Sequence, residues 1–390
     1  MKKTIVIGVT GSISAYKSAE LASVLVKEGY DVHVVMTENA AEFITPLTME
    51  TITKNKVYVD MFRDEDHTKV THIWMATESD LILVAPASYS IIGKAASGIA
   101  DDLLSSIIAA ADPSKIIFAP AMNVNMYNNP INQRNINTLK GLGSTFIEPE
   151  EGMLACGVKA KGRLRNIPEI VEHVNAFFTP KLLRNKKILI TAGATREFID
   201  PVRFLSNTSS GLMGVSLAKV CRDMGAEVSL VIANSQYDVS NVKVARVSSV
   251  SEMYEECSSQ FENCDIFISC AAVSDFKPKS YSVSKIKKTS DSLTLELIKN
   301  VDILHEMGKR KTKQRLIGFA AESDDLFTNA KAKLKNKNLD AIVANELSNF
   351  SNQMGKVWVL GEEFCVELDQ KPKTDLAYDI VSVLLDKNVI

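Results

Sequence analysis

Three side chains in the first half of the sequence are of types that can move protons or bind a carboxylate: His72, Asn123 and Cys156. An imidazole titrates near neutral pH and can serve as a base, and a side-chain amide can bind both oxygens of a carboxylate. Cys156 lies among glycines and cations, a setting in which a thiol can have a lowered pKa and donate a proton. Each residue alone is more often structural, so the three are candidates only as a set.

A glycine- and serine-rich turn over residues 8–14 follows the first apolar run and precedes a helical pattern. In a doubly wound sheet this is where free amide groups and a helix dipole bind phosphate. The turn lacks the spacing of the dinucleotide fingerprint, and Thr37 rather than an acid follows the second strand. Without an acid to hold an adenosine ribose, a mononucleotide such as FMN is favoured over NAD. A simple strand–helix turn is the alternative interpretation.

The second half begins in the same way, with a glycine turn over residues 191–197 after a fresh apolar strand. A long polar segment then reaches Asn207 and residues 209–211 (Ser-Ser-Gly), which start a helix well and present N–H groups to an anion. About twenty polar residues are more than a mere connection needs. Asp275 ends a later strand, where a carboxylate could bind a metal or a ribose. A polar loop with a helix cap is the alternative.

Two groups of lysines could meet the phosphates of a substrate. The first group lies in the loop after Asp275 and comprises Lys277, Lys279, Lys285, Lys287 and Lys288. Such a loop could close over a triphosphate and neutralise a pyrophosphate leaving group. The second group lies on a predicted helix, where Lys333 and Lys337 share one face and Lys331 and Lys335 another. We expect one pair to face a ligand and the other to face water, and a basic face that is entirely solvated is the alternative.

The composition limits the partners of these sites. Lys and Arg total 45 and Asp and Glu 47, a net charge of −2, so no global charge favours a nucleic acid or a membrane surface. The first apolar run is too short for a secretory signal, and no run approaches the ~18 residues of a membrane span. The six cysteines show no zinc-ligand spacing. These features fit a cytoplasmic enzyme with small-molecule substrates.

The elements that must position these residues alternate between strands and helices over 390 residues, a length that favours two domains. Apolar runs predict strands at residues 4–9, 31–36, 81–85, 116–119, 188–191, 228–232, 266–269 and 341–344. Helical periodicity predicts helices at 15–28, 101–111, 167–178 and 212–224. The predicted fold class is α/β, with two doubly wound, Rossmann-like domains at 1–180 and 181–390 and a linker at 179–187.

Taken together, the motifs of the first half resemble the homo-oligomeric flavin-containing cysteine decarboxylases. The resemblance rests on the order of the Gly-Ser-Ile turn, His72, Pro-Ala-Met-Asn123 and Ala-Cys156-Gly, and it covers residues 4–178. It implies a flavodoxin-like flavoprotein domain that binds FMN. The positions that match the FMN-contacting stretches of the family are Gly11, Ser12, Ile13, Thr37, Ser88 and Ser90.

The motifs of the second half resemble phosphopantothenate–cysteine ligase. They are the turn at 191–197, Ser-Asn207-Thr-Ser-Ser-Gly, Ala-Ala-Val-Ser-Asp275, Lys285-Ile-Lys-Lys and Gly-Phe319-Ala-Ala-Glu. With both halves in order, the whole chain resembles the bacterial family of bifunctional coenzyme A biosynthesis enzymes.

The resemblance implies that the second domain acts first. CTP activates the carboxylate of 4′-phosphopantothenate as an acyl-cytidylate, pyrophosphate leaves, and the amine of cysteine displaces CMP. By motif match, Lys285 would neutralise charge during activation and Asn207 would hold the acyl-cytidylate. The matched nucleotide-binding positions are Ser269, Cys270, Ala271, Asp275, Val301, Asp302, Ile303, Leu304, Phe319, Lys333 and Lys337. Mg²⁺ is expected with the triphosphate, with Asp275 as its candidate ligand.

The first domain would then decarboxylate the product to 4′-phosphopantetheine. A flavin is needed because loss of CO₂ from an unactivated cysteine carboxylate leaves a carbanion without an electron sink, and oxidation of the thiol to a thioaldehyde creates one. The match implies that His72 acts as the base or orients the substrate. Asn123 would bind the cysteine carboxylate, and Cys156 would supply the proton for the final reduction.

The chain departs from the common family pattern next to these residues. Tyr127 replaces a frequent Trp, and residues 158–161 (Val-Lys-Ala-Lys) replace an acidic residue and small residues. No departure removes a catalytic group, but both affect contacts near the flavin.

The resemblance also implies a homo-oligomer, with FMN sites between subunits of trimers that assemble, together with ligase dimers, into dodecamers. Two other interpretations stay open at this stage. One is an FMN-binding regulatory flavoprotein that retains one or neither activity. The other is a nicotinamide-dependent oxidoreductase.

Overall fold

The computed structural model of the chain describes residues 2–62, 70–153, 159–288, 292–322, 326–346 and 354–390. It divides into two compact units, unit 1 over Met1–Phe178 and unit 2 over Thr179–Ile390. The division lies within two residues of the boundary at 180 predicted from the sequence. No helix in the described ranges is long and apolar enough to cross a membrane.

Unit 1 alternates strands and helices along the chain. Its strands are β1 (Thr4–Val9), β2 (Asp31–Met36), β3 (Val57–Tyr58), β4 (Leu81–Ala87), β5 (Ile116–Pro120), β6 (Thr145–Phe146), β7 (Glu150–Met153) and β8 (Lys159–Arg163). Its helices are α1 (Lys17–Lys27), α2 (Glu38–Ala41), α3 (Pro46–Thr53), α4 (Thr71–Glu78), α5 (Tyr89–Ser97), α6 (Leu103–Ala110), α7 (Val124–Asn128), α8 (Pro130–Gly141) and α9 (Ile167–Phe178).

The central sheet of unit 1 is parallel, with the order β3-β2-β1-β4-β5-β6. Without the two-residue edge strand β3, the remaining strands follow the 2-1-3-4-5 order of flavodoxin-like sheets. Every residue of β4 and β5 is buried, because helices cover both faces of the sheet. The doubly wound, flavodoxin-like fold predicted for the first half is confirmed.

Side chains of each strand in unit 1 alternate between two apolar layers. Ile5 and Ile7 of β1 pack with Leu21 of α1 on one face of the sheet, whereas Val6 packs with Leu104 of α6 on the other. Gly8 lies directly beneath Leu104, and a Cβ at Gly8 would come within 2.6 Å of that side chain. These layers fix the level at which β1 ends and the glycine turn begins.

Unit 2 has a larger sheet and several short ribbons. Its strands are β9 (Lys187–Gly193), β10 (Arg196–Phe198), β11 (Phe204–Ser206), β12 (Glu227–Ala233), β13 (Lys243–Val247), β14 (Ile266–Ser269), β15 (Phe276–Pro278), β16 (Leu297–Lys299), β17 (Arg315–Glu322), β18 (Ala341–Glu346), β19 (Met354–Leu360) and β20 (Cys365–Pro372). Its helices are α10 (Leu212–Asp223), α11 (Val250–Gln260), α12 (Ile303–Arg310), α13 (Leu326–Asn336) and α14 (Lys373–Asp386).

The main sheet of unit 2 has the order β13-β12-β9-β14-β17-β18-β19-β20. Its first six strands are parallel and follow the 3-2-1-4-5-6 order of a Rossmann fold, whereas β19 and β20 continue the edge as an antiparallel hairpin. The Rossmann-like fold is confirmed, and the hairpin is an addition that the apolar runs did not reveal. In β19 buried and half-buried residues alternate, and β20 contains only half-buried and exposed residues, so neither strand gives the signal of a continuous apolar run.

One segment differs from the sequence-based interpretation. Residues 179–187 are predicted as a linker, but Leu183 is fully buried in the core of unit 2 and the Lys181 ammonium donates to the Asp223 carbonyl over 2.6 Å. Two further segments contain elements that the predicted runs do not include. The asparagine-rich segment after Asn123 forms α7 and α8, where Asn129 caps a helix that begins with Pro130, and the glycine-rich segment 141–162 contains the antiparallel hairpin β7–β8.

Candidate functional site

In unit 1, three strand ends are tied together at one edge of the sheet. The Thr10 hydroxyl, after β1, donates to the Pro86 carbonyl over 2.7 Å and accepts from the Ser88 amide over 2.9 Å. The Ser12 hydroxyl donates to the carbonyl of Ala121, after β5, over 3.3 Å. The strand order reverses between β1 and β4. Open parallel sheets bind ligands at the carboxyl ends of the strands at such a point, which is the edge meant below.

The predicted phosphate turn has the geometry of a helix start. Ser12 caps a short 3₁₀ turn over Ile13–Tyr16 and accepts the Ser14 amide, and α1 follows directly. Gly11 lies against Asn39, where a Cβ would come within 2.6 Å of the Asn39 Cβ. Ile13 is 60% exposed, although it stands beside buried residues. The turn therefore presents amide groups and one apolar side chain toward solvent.

Thr37 lies at the end of β2 on the same edge, and its amide donates to the Val9 carbonyl over 3.0 Å. Its hydroxyl oxygen is buried and has no hydrogen-bond partner within the described residues. A buried polar atom without a partner is uncommon, and a hydrogen bond to a bound group or to a water would satisfy it. Ser88 caps α5, and Ser90 is exposed in the first turn of that helix.

The three candidate residues for decarboxylation are distributed over unit 1. His72 is half-buried on α4, which packs against α6. Asn123 is exposed at the start of α7, where its side chain accepts the Asn125 amide over 2.8 Å, and α7 packs against α8 and β8. His72 and Asn123 are thus carried by helices with different packing partners. Cys156 lies outside the described residues.

Unit 2 contains a cavity of about 760 Å³ at the carboxyl ends of its parallel strands. One wall is the start of α10, where Gly211 has a φ of +84° and its position leaves no room for a side chain against Ser235. Gly214, one turn later, lets the helix approach Ala192 of β9. These glycines bring free amide groups of a helix N-terminus to the cavity.

A second wall is the loop after β14, which is held in place by two threonines of the adjacent strand end. The Thr191 hydroxyl accepts the amides of Cys270 and Ala271 over 3.1 and 3.2 Å, and the Thr195 hydroxyl accepts the Ser274 amide over 3.0 Å. The Asn207 side-chain amide donates to the Ala272 carbonyl over 3.3 Å. Asn207 is therefore oriented by this loop, and both contribute to the cavity lining.

The third wall carries positive charge. Lys337 forms a 2.7 Å ion pair with Asp302, which also caps α12 by accepting the His305 amide. Burial would raise the pKa of Asp302, but its bonds to Lys337 and to the His305 amide outweigh burial and lower it. Lys333 lines the cavity with Lys337, whereas Lys331 and Lys335 are exposed. The structure thus places one lysine pair in the cavity wall and the other in solvent.

All eleven residues that the sequence matched to nucleotide-binding positions line this one cavity. Asn207 also lines it, whereas Lys285 does not appear in the lining and is exposed on the loop after β15. The buried carboxylate of Asp200 holds the next residue of that loop, accepting the Ile286 amide over 3.2 Å. Asp200 also accepts the amides of Val202 and Arg203, so it fixes the base of the Lys285 loop.

Two family models together cover nearly the whole chain. The model described as Flavoprotein matches residues 1–179, and the model of the DNA/pantothenate metabolism flavoprotein C-terminal domain matches residues 183–387. The coenzyme A biosynthesis bifunctional protein CoaBC of Borreliella burgdorferi is 46% identical over 387 residues, which are 98% of this chain and 99% of that protein. The chain belongs to the CoaBC family.

Further relatives of the CoaBC family are similar over most of their length. The CoaBC protein of Bacillus subtilis is 44% identical over 350 residues, 88% of this chain and 86% of that protein. A crystal structure of a CoaBC C-terminal domain is 37% identical, with a TM-score of 0.46, and covers 53% of this chain and 99% of that domain. The resemblance inferred from the motifs is confirmed.

The cavity also contains polar residues that the motifs did not reveal: Lys299, Asn300, Asn345 and Lys373. Lys373 is the first residue of α14, and burial lowers its pKa. Burial raises the pKa of the neighbouring Cys270 thiol to about 12. Lys373 follows the hairpin β19–β20, which the apolar runs did not predict. Its place in the cavity could therefore not be predicted from them.

Proposed function

We propose that the chain catalyses two consecutive steps of coenzyme A biosynthesis, in agreement with its membership of the CoaBC family. Unit 2 ligates cysteine to 4′-phosphopantothenate at the expense of CTP, and unit 1 decarboxylates the product to 4′-phosphopantetheine. The observation that carries the proposal is the convergence of Asn207, Asp275 and the Lys333–Lys337 pair on a single cavity. An amide, a carboxylate, two cations and a helix N-terminus fit an anionic nucleotide and an anionic acyl group.

In the ligase reaction, the amides at the start of α10 and the Lys333 and Lys337 ammonium groups bind the negatively charged parts of the substrates. Asn207, fixed by its bond to the Ala272 carbonyl, presents its amide to the acyl-cytidylate and holds the acyl carbon for attack by the cysteine amine. Lys285, on its loop beside Asp200, neutralises charge as pyrophosphate departs.

We propose that Mg²⁺ enters this cavity with the triphosphate. The described residues contain no group of three or more His, Cys, Asp or Glu side chains that could hold a metal ion by themselves. Asp275 lines the cavity and Asp302 is engaged with Lys337. A single carboxylate together with phosphate oxygens and waters suits Mg²⁺, which is often bound in this way.

The edge of unit 1 between β1 and β4 fits FMN. The amides after Gly11 would hold its phosphate, the buried Thr37 hydroxyl would gain a partner, and Ser12 and Ser88 lie on either side. Ile13 and Ser90 lie at the margin of the same edge. When bound, FMN supplies the two-electron oxidation of the substrate thiol that gives the carboxylate an electron sink, and the matching reduction after CO₂ has left.

The residues of unit 1 then act on the substrate. Asn123 binds the carboxylate of the cysteine part, His72 takes or orients the proton of the reacting group, and Cys156 supplies the final proton. Because His72 and Asn123 lie on separately packed helices, we propose that each site takes residues from two copies of the chain. This is the kind of assembly, trimers within dodecamers, that the family resemblance implies, and we propose that the protein works in the cytoplasm.

The test is to incubate the protein with CTP, Mg²⁺, cysteine and 4′-phosphopantothenate and to follow pyrophosphate and CO₂. Both products should appear in equal amounts. Pyrophosphate without CO₂ would remove the decarboxylase half of the proposal, and absence of pyrophosphate would remove the ligase half. Free cysteine without phosphopantothenate is the control and should give neither product. A purely regulatory flavoprotein would bind FMN yet release no CO₂ from added phosphopantothenoylcysteine.

A further inference from the structure

A half-buried polar cluster surrounds Tyr127, which lies near the end of α7, whereas Asn123 caps the start of that helix. Its centre is Glu148, whose carboxylate accepts the Tyr127 hydroxyl over 2.7 Å and the Lys161 ammonium over 2.8 Å. Lys140 of α8 reaches the other carboxylate oxygen over 3.2 Å. The Lys161 ammonium also lies 5.7 Å from the centre of the Tyr127 ring, within range of a cation–π contact.

The charge of this cluster is fixed by its own bonds. Burial would raise the pKa of Glu148, but the bonds from Lys161, Tyr127 and Lys140 outweigh burial and lower it to about 2. Burial and the bond to Glu148 both raise the pKa of Tyr127, so the phenol stays protonated and donates. Glu148 is therefore an anion and Tyr127 a donor throughout the neutral range.

Backbone bonds connect the cluster to the Asn123 loop from both sides. The Tyr127 amide donates to the Asn123 carbonyl over 2.9 Å, closing the turn that Asn123 caps. The Met122 amide donates to the Gly162 carbonyl of β8 over 3.0 Å, and a Cβ at Gly162 would come within 2.4 Å of the Met122 carbonyl oxygen. Lys161 and Gly162 are adjacent, so β8 holds both ends of the Asn123 turn.

We infer that Tyr127, Glu148 and Lys161 form a positioning network that clamps α7 to β8 and thereby fixes the side chain of Asn123 toward the substrate carboxylate. Two of the three members, Tyr127 of α7 and Lys161 of β8, meet on the carboxylate of Glu148. The inference rests on the proposed function of Asn123.

The experiment measures binding of 4′-phosphopantothenoylserine, an analogue whose hydroxyl replaces the reactive thiol, to the FMN-loaded full chain by calorimetry. Tyr127→Phe and Glu148→Ala should each weaken binding about tenfold, because a mispositioned amide loses its carboxylate contact. Tyr127→Trp, with an indole N–H that can donate to Glu148, should restore most of the affinity. Pyrophosphate release by unit 2 of the same chain should stay at the wild-type rate and reports intact folding.

The matched control is Tyr30→Phe, which removes a phenol that donates to the Asn175 side chain over 2.6 Å elsewhere in unit 1. It should leave the affinity unchanged. In an Asn123→Ala background, Tyr127→Phe should have no further effect, because the network acts through Asn123. Additive losses, or an equal loss with Tyr30→Phe, would overturn the network. Full affinity in Asn123→Ala alone would instead overturn the role of Asn123, and the inference with it.

Discussion

In each unit the candidate site lies at the carboxyl ends of the parallel strands of its own sheet. The two units differ in how far they bring the predicted side chains together. In unit 2, Asn207, Asp275 and Lys337 come from three separate segments and line one cavity of about 760 Å³. In unit 1, the strand ends around Thr10 and Ser88 converge, whereas His72 and Asn123 lie on helices that pack against different neighbours. Loops that follow adjacent strands complete the cavity of unit 2 within one chain, whereas for unit 1 we propose a site shared between copies.

This contrast is tested most directly by co-expression of two inactive chains. His72→Ala and Asn123→Ala chains, each inactive alone as decarboxylases, should together recover about a quarter of wild-type CO₂ release, because random pairing leaves about a quarter of shared sites intact. The same design with Asn207→Asp and Lys337→Met should give no more ligation than the average of the two variants alone, since both residues line one cavity of one chain. No recovery in the first pair would place the decarboxylase site within a single chain.

Asn207→Asp separates the two steps of ligation. The substitution replaces a donor by an anion beside the acyl-cytidylate, so CTP should still be consumed while amide formation falls about 100-fold, the loss typical of one oriented donor. Quenched-flow analysis should show the acyl-cytidylate accumulating. Decarboxylation of added phosphopantothenoylcysteine should be unchanged and serves as the internal control. Amide formation at the wild-type rate would refute the role of Asn207.

The lysine pairs on α13 and at its carboxyl end, where Lys337 follows the last helical residue, allow a comparison within one short segment. Lys337→Met removes the ion pair with Asp302 and a cation from the cavity wall, and KM for CTP should rise about tenfold, as expected for loss of a hydrogen bond to a charged group. Lys335→Met, at an exposed position two residues earlier, should change KM less than twofold. An equal effect of both substitutions would show that net charge rather than cavity position matters.

The type of element that carries a site residue decides whether the sequence could predict that residue's place in the site. Continuous apolar runs predicted β1, β2 and β14 with the observed limits. In unit 2, the residues matched to nucleotide-binding positions line one cavity. Lys373 and Asp200 were not predicted, because their roles depend on the β19–β20 hairpin and on a contact with Ile286, 86 positions away. Leu183 was assigned to a linker because Pro180 and the basic residues outweigh the two leucines of that segment in a local pattern.

Thr37→Val tests the fit of unit 1 for a flavin. The buried hydroxyl has no partner in the described part of the chain, so the apoprotein should become more stable by about 1 kcal/mol when an isosteric methyl replaces it. If FMN supplies the missing partner, its affinity should fall about fivefold in the same variant. Thermal unfolding of the apoprotein and quenching of FMN fluorescence measure the two effects. A stabilised apoprotein with unchanged FMN affinity would mean that another group satisfies Thr37.

The smallest effect concerns pH and the Glu148 cluster, which resembles the Asp302–Lys337 pair of unit 2 in having a carboxylate whose pKa is lowered by bonds to lysine. The pKa of Glu148 is about 2 in the folded chain, below the ~4.3 of a free glutamate, so its ionised form stabilises the fold. That contribution is complete above about pH 4.5 and is lost as the pH falls toward 2. Because the carboxylate is 41% exposed, solvent screening limits it to the order of 1 kcal/mol. The free energy of unfolding of the full chain, measured with denaturant, should fall with decreasing pH. Between pH 4.5 and 2 this fall should be less steep in Glu148→Gln than in the wild-type chain. An unchanged pH dependence would show that the cluster does not hold the charge that the positioning of Asn123 requires.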